Sequence, residues 1–384
     1  MPRGDQTDTM TLNPASPQTH DGPTFTYVED VDDQGGGGRS ITFADPEVRA
    51  LDYQALVQAK PHLPLTVALV WDGARVVATN IPGFNLGPRR SLTSTLISPY
   101  TSEAIGLVRG GWLPSSLAAT RQGTMILLDR NVVCQIEGRF ETGEAISETP
   151  DFIDLFAGQA VRINPMLFVL EGNARSLPTP ELAQAQLTEV VDKLRKALPQ
   201  AEIVAGPDSL KGALGLLADA RPWFERHERF LLRIAPSLES PVGRRRAARV
   251  WREALAAAED CGIAPYSIVM LAVLSALSVP NGTSPARDML KFQAGYDAKL
   301  AYNALSDLHA IQLLINCMAI YPDQPMQLCT RDRGMALFWV GMGVADITFE
   351  DSRARFNLDP VEALLPGAAM EQWRAFVREP ADPA

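Results

Sequence analysis

The sequence predicts an α/β fold in which a parallel sheet is sandwiched between helices, with a small strand-containing region before it. Three observations predict it. Apolar runs of strand length, TMILLD (124–129), MQLCT (326–330) and VADITFE (344–350), are separated by long stretches with helical periodicity. Strands joined through helical crossovers pair in parallel. The chain has 384 residues, 46% of them hydrophobic, enough to bury one large core or two modest ones.

In chain order, residues 1–40 are rich in Asp, Gly, Pro, Ser and Thr and end in GGGG, the composition of a flexible leader. No Lys-Ser or Lys-Thr follows the glycines, so they are not a phosphate loop. Residues 41–122 form the small region. Within it LTVALVW-DG-ARVVAT (65–79) predicts a hairpin turning at Asp72-Gly73, and LPSSLAATRQG (113–123) a short helix stopped at Gly123. The main domain, 123–350, opens with the strand TMILLD. Residues 148–176 read as two helices meeting near Asn164-Pro165. PELAQAQLTEVVDKLRKAL (180–198) is a long amphipathic helix, and YSIVMLAVLSALSV (266–279) is a buried helix too short to span a bilayer. Residues from about 175 to 285 form a helical insertion, and 351–384 a helical tail.

Charge and cysteine usage narrow the function. The net charge of −10 and pI near 5.0 do not draw in a polyanion, so any nucleic acid must be met by a local basic patch or by metal ions. The four cysteines show no C-x-x-C spacing and read as reduced thiols of a cytoplasmic protein. The N-terminus lacks the apolar run of a secretory signal, so the Asn-Gly-Thr acceptor triplet at 281–283 carries no meaning, and nothing calls for a membrane.

Four acids stand out. Asp129 ends the first strand of the domain, and Asp332 follows MQLCT by two residues; carboxyl ends of parallel strands are where ligand chemistry sits. Glu171 interrupts the apolar PMLFVLEGNA, and Asp307 is the one acid in AYNALSDLHAIQLLINCMAI, with Asn303 one turn earlier on the same face. Acids inside such segments are costly to bury unless a cation accompanies them. No lysines match them, so a divalent ion is expected, and hard oxygen ligands suit Mg2+ or Mn2+. Three of the acids also have a plainer reading: Asp129 as a helix cap or turn residue, Glu171 and Asp307 as solvent-facing charges.

LLDRNVV (127–133), the isolated Glu171, NALSDLHAIQLL (303–314) and LCTRDRG (328–334) together resemble, in order and type, the motifs of the PIN-like nuclease family. The resemblance covers roughly 124–350. It implies a Rossmann-type three-layer fold and an endoribonuclease in which Asp129, Glu171, Asp307 and Asp332 hold one or two Mg2+ or Mn2+ ions for phosphodiester hydrolysis. By motif position it implies that Thr330 orients a neighbouring carboxylate and that Asn131 steadies the loop after the first strand. Glu137 competes with Glu171 for the fourth place. Arg333-Gly334 stand where some relatives carry a further acid.

With four histidines and no G-x-S-x-G, a serine or cysteine nucleophile has little support. Asp288 and Asp297 read as surface charges, and His309 as an ordinary helical histidine. The run GRRRAARVWRE (243–253) places Arg245, Arg249 and Arg252 on one helical face, read either as a solvated surface or as a phosphate track with Trp251 for base stacking. Arg331 and Arg333 flank Asp332 as candidate phosphate contacts. The expected partner is RNA, with a regulatory protein or a second copy of the chain as a further partner. The alternative function is a PIN-like scaffold of weak catalysis that serves as a regulatory or protein-binding module.

Overall fold

The computed structural model describes residues 24–28 and 38–378, apart from 46, 85, 88, 120, 122, 173, 207 and 280–283. Of the expected leader, residues 1–23 and 29–37 lie outside the described residues, as does the 281–283 triplet. Its described part is not coil: Thr24–Val28 pairs antiparallel with Ser40–Ala44.

The chain divides into two compact units, one of residues up to Arg49 with Ala68–Thr95, the other of Ala50–Val67 with Leu96 onward. The smaller holds a five-stranded sheet, in which Thr66–Thr79 pairs with Ser40–Ala44, Glu47–Val48 and Arg89–Ile97 around a small core of Phe43, Ala74 and Val76. The hairpin expected at Asp72-Gly73 is absent; Thr66–Thr79 is one continuous strand. Asp72 lies opposite Glu47 in register. Its carboxylate accepts from Arg49 at 2.8 and 2.9 Å and from the Ser91 hydroxyl at 2.7 Å. Those partners satisfy the side chain that would otherwise close a turn, and Gly73 takes φ +65° within the strand without reversing the chain.

The larger unit is mixed α/β. Its six-stranded sheet runs in the order Glu202–Ile203, Arg162–Asn164, Met125–Leu128, Met326–Thr330, Ile105–Val108, Gly111–Pro114. The first four are parallel and the last two antiparallel. The sheet therefore reaches back before residue 123, and only the short helix Ser115–Ala119 forms where 113–123 predicts one. Every residue of Met125–Leu128 and Met326–Thr330 is buried, which is why the first reads as an unbroken apolar run and why Gln327 and Thr330 of the second are buried polar groups.

Three elements differ from expectation. The first of the two helices expected over 148–176 is a 3-10 helix, Phe152–Gly158, followed by the strand Arg162–Asn164; only Met166–Glu171 is α-helical. Asn164 Oδ1 accepts the Met166 N–H at 2.9 Å, turning strand into helix across Pro165. VADITFE is a strand but not a member of the parallel sheet. It buries little beyond Ile347 and pairs antiparallel with Arg353–Leu358, as fits a polar, half-exposed ribbon. The expected helical tail accordingly contains that second strand before the helix Ala368–Arg378.

The insertion is mostly helical, with Pro180–Ala197, Ser209–Leu238, Arg244–Asp260 and Ile268–Ser278, but it also adds Glu202–Ile203 to the sheet. Pro180–Ala197 buries Leu187, Val190, Val191 and Leu194 along one face. Ile268–Ser278 is buried almost end to end. Among the described residues no helix is long and apolar enough to cross a membrane. Asp307 rides on the long helix Ala298–Ile320, and this helix, Met166–Glu171 and the two central strands position the candidate site.

Candidate active site

Asp129 follows directly on the central strand Met125–Leu128 and is the N-cap of the helix Arg130–Arg139. Its backbone N–H donates to the Cys329 carbonyl of the neighbouring strand at 3.0 Å. Its Oδ1 accepts the Asn131 N–H at 3.4 Å, and its Oδ2 accepts the Thr330 hydroxyl at 2.8 Å. Thr330 is wholly buried, and its Oγ1 also accepts the Asp332 N–H at 3.0 Å. Asp332 in turn caps the helix Arg333–Gly341, its Oδ1 accepting the Met335 N–H at 2.9 Å. Both aspartates are therefore helix caps, as the plainer reading of Asp129 has it, and a single hydroxyl joins them across adjacent strand ends.

Asp129, Glu171 and Asp307 line one small, partly open pocket; its other walls are Leu167, Leu170, Phe224, Ser306, His309, Ala310 and Met335. Burial is the largest influence on each acid. It raises the Asp129 pKa against the lowering hydrogen bonds of Thr330 and Asn131. Burial and then Asp129 push Glu171 up to about 7. Asp307 is held well above the usual carboxylate range, first by burial, then by Asp332 and Asp129. The three carboxylates that line this buried pocket thus act on one another, and Asp332 acts on Asp129 and Asp307 from beside it, an arrangement that favours protons or cations over free negative charge.

The cations near these acids are Lys291, which draws the Asp307 pKa down, and Arg130, which does the same to Glu171. Arg130 lies over the Phe168 ring at 3.9 Å and donates to the Phe168 carbonyl at 3.1 Å. Glu171 ends the helix Met166–Glu171, where its carbonyl accepts the Tyr302 hydroxyl at 2.6 Å. Glu137, its rival, pairs instead with Lys193 at 2.9 Å.

Other candidates sit elsewhere. Arg331 pairs with Glu103 at 2.7 Å. Arg333 donates to the Leu56 and Val57 carbonyls at 2.8 and 3.0 Å, tying a helix start to the chain before the sheet rather than reaching for phosphate. Asn131 is exposed and contributes its backbone N–H to Asp129; Asn303 is half-buried, one turn before Asp307. Arg245, Arg249 and Arg252 are exposed on Arg244–Asp260 and none lines the acidic pocket. Trp251 is buried and so offers no stacking surface. Asp297 caps Ala298–Ile320. Asp288 is exposed and lies close to Gly334, beside Asp332.

The residues that sequence reasoning missed are aromatic and basic. His309 and Phe224 line the pocket, with ring centroids 5.3 Å apart, and burial lowers the His309 pKa to about 4. The spacing Ser306-His309-Ala310 on an apolar helix is a signal for a shared face, but Phe224 is far away in sequence and leaves no local trace. Lys291 was hidden in the same way.

As donors, buried carboxylates fit Mg2+ or Mn2+ in kind. In spacing they are not closed up: among the described residues no three His, Cys, Asp or Glu side chains are grouped closely enough to hold a metal ion. All four cysteines are free. Comparison with family models, with curated proteins and with solved structures gives no match for this chain.

Proposed function

We propose that the chain is a Mg2+- or Mn2+-dependent endoribonuclease of the PIN-like type, acting in a reducing, cytoplasmic setting, with its mixed sheet forming the middle layer of a three-layer domain. The observation that carries the reading is the joining of Asp129 and Asp332 through Thr330 at adjacent strand ends, next to a pocket that also receives Glu171 and Asp307. Helix capping accounts for Asp129 and Asp332 at these strand ends; the further buried acids Glu171 and Asp307 beside them are what a cation site would explain. Asp129, Glu171, Asp307 and Asp332 would hold the ion, which when bound supplies an acidified water and offsets charge on a phosphodiester. Thr330 would orient Asp129 through its hydrogen bond, and Lys291 would meet the charge of the substrate.

The test is cleavage of single-stranded RNA by the full chain in Mn2+ or Mg2+, compared with Asp129→Asn. Metal-dependent cleavage that falls by at least a hundredfold in the variant is expected. Equal activity in both proteins, or none in either, removes the assignment.

A second reading, a catalytically weak scaffold that serves a regulatory or protein partner, is favoured by the incomplete grouping of the acids. Calorimetry separates the two. Mn2+ binding that is lost in Asp332→Asn supports the enzyme, and absence of binding in the wild-type chain supports the scaffold.

A further inference from the structure

We propose that the exposed arginines at the start of Arg244–Asp260 form an anchoring surface for the phosphate backbone of single-stranded RNA, one that needs no metal ion and lies apart from the acidic pocket. The choice of RNA rests on the nuclease reading above; the surface itself does not.

From Pro241 to Arg252 the chain carries five arginines and no acid, in a protein of net charge −10. Arg244, Arg245, Arg246, Arg249 and Arg252 are all exposed. Arg249 is held loosely by Glu253 at 3.4 Å, and Arg252 donates to the Ala248 carbonyl at 3.4 Å. Among the described residues, Arg244, Arg245 and Arg246 make no ion pair or hydrogen bond through their side chains. A helix face that is merely solvated interleaves charges of both signs, and this one does not. Nor do the three arginines serve the helix, because cations in its first turn oppose the macrodipole. The surface is nevertheless rigidly placed. Val250, Trp251 and Ala254 are buried on the opposite side, and the helix packs on Ser209–Leu238 and Ile268–Ser278. Arg287 donates to the Leu238 carbonyl at 2.7 Å, which ties the loop before the arginines to the short helix that carries Asp288 beside Asp332.

The chemistry of the patch selects its occupant. Guanidinium groups meet phosphate through paired hydrogen bonds, and from Arg244 to Arg252 they are spread over about 12 Å of helix. That suits a ligand whose charges repeat along a line. A protein partner needs an apolar centre to its interface, and a membrane surface needs an apolar helix face to receive. Among the described residues, no large apolar side chain of Ser209–Leu238 or Arg244–Asp260 is exposed. What the surface offers is positive charge alone, which holds a nucleic-acid backbone without reading its sequence.

The experiment measures binding of the full chain to a short labelled single-stranded oligoribonucleotide in EDTA, by fluorescence anisotropy over a range of salt. Wild type is expected to bind, with affinity falling as salt rises. The combined variant Arg244→Gln, Arg245→Gln, Arg246→Gln should bind at least about tenfold more weakly near 0.1 M salt, and its log–log salt slope should be shallower by about 2, three contacts at about 0.7 each. Replacing the same three residues by Lys should keep the wild-type slope. A control that removes equal charge from exposed positions elsewhere, Arg195→Gln, Lys196→Gln and Lys211→Gln together, should bind nearly as wild type does. The Arg-to-Gln variant should also melt no lower than wild type, since it relieves the helix start. Wild type that does not bind RNA in EDTA overturns the surface and leaves the nuclease reading to its own cleavage assay. So does a control that loses as much affinity as the Arg-to-Gln variant, because whole-molecule charge would then account for binding. A lower melting temperature in that variant would assign the arginines to the fold, and a polyglutamate peptide that displaces RNA at equal concentration would assign them to acidic proteins; either overturns the proposal. Binding in EDTA that follows the arginines, in a chain that cuts nothing in Mn2+, upholds the surface and removes the nuclease reading.

Discussion

The Thr330 hydroxyl donates to Asp129 Oδ2 at 2.8 Å across 201 positions of sequence, and accepts the Asp332 N–H at 3.0 Å with the same oxygen. One buried side chain therefore ties the Asp129 carboxylate to the Asp332 backbone at the ends of adjacent strands. Thr330→Val keeps the shape but removes the hydroxyl, leaving Asp129 Oδ2 and the Asp332 N–H short of a partner. The expected cost is about 1–3 kcal/mol of stability, seen in chemical denaturation, together with at least a tenfold fall in RNA cleavage. Thr330→Ser should recover most of the activity. A valine variant as active as wild type would mean that the carboxylate orientation does not matter.

How far this site could be read from the sequence follows from where its signals lie. Asp129 and Asp332 announce themselves because they lie at the ends of buried strands, Asp129 directly after Met125–Leu128 and Asp332 two residues after Met326–Thr330, and Asp307 because it interrupts an apolar helix. Trp251 misled because helical spacing gives a face and not the partner that covers it; here Val250, Trp251 and Ala254 are turned inward together. VADITFE misled because strand character does not say which strand will pair with it. Asp72-Gly73 has the chemistry of a turn, but the Asp72 carboxylate is occupied by Arg49, just after Glu47–Val48, and by Ser91 of Arg89–Ile97. Phe224 and Lys291 reach the site only through tertiary packing, for which a single sequence carries no periodic mark.

Asp307 gives a prediction in which stability and function move in opposite directions. Burial and three neighbouring acids raise its pKa well above the ordinary value, so its ionisation at neutral pH works against the folded chain. Asp307→Asn is nearly isosteric and removes that cost. In metal-free buffer at pH 8 the variant is expected to melt higher than wild type. Added Mn2+ should raise the wild-type Tm and leave the variant unchanged. A variant that melts lower without metal would show that the carboxylate serves the fold.

Glu171 sets a pH window. Its pKa rises from 4.5 to about 7 in the folded chain, so the folded state holds this proton more tightly than the unfolded state does. The stability tied to the protonated form is complete below about 4.5 and is lost as pH rises through about 7. Thermal unfolding of wild type and Glu171→Gln in EDTA should therefore diverge with pH: small differences near pH 4.5, and the glutamine variant the more stable at pH 8. Binding of a cation needs the carboxylate form, so Mn2+ affinity should climb over the same window. A difference between the two proteins that is constant with pH would place Glu171 outside the electrostatics of the pocket.

Lys291 allows charge to be removed without harming the fold. It ends the short helix Pro285–Leu290 in the left-handed conformation, φ 54° and ψ 35°, where glycine is at home and a side chain is mildly strained. Its ammonium lowers the Asp307 pKa, acting as a resident counter-charge for the acids. Lys291→Gly should therefore fold at least as stably as wild type while leaving the pocket more negative. Mn2+ should then bind a few-fold more tightly at low ionic strength, and KM for RNA should rise because a phosphate-facing cation is gone. Lys291 is exposed, so both effects should shrink as salt approaches about 1 M, where the screening length falls to about 3 Å. Lys291→Arg, which keeps the charge in the same backbone conformation, should match wild type in both. Weaker Mn2+ binding in the glycine variant would contradict the assignment, because a lysine that competes with the ion cannot also be needed to hold it.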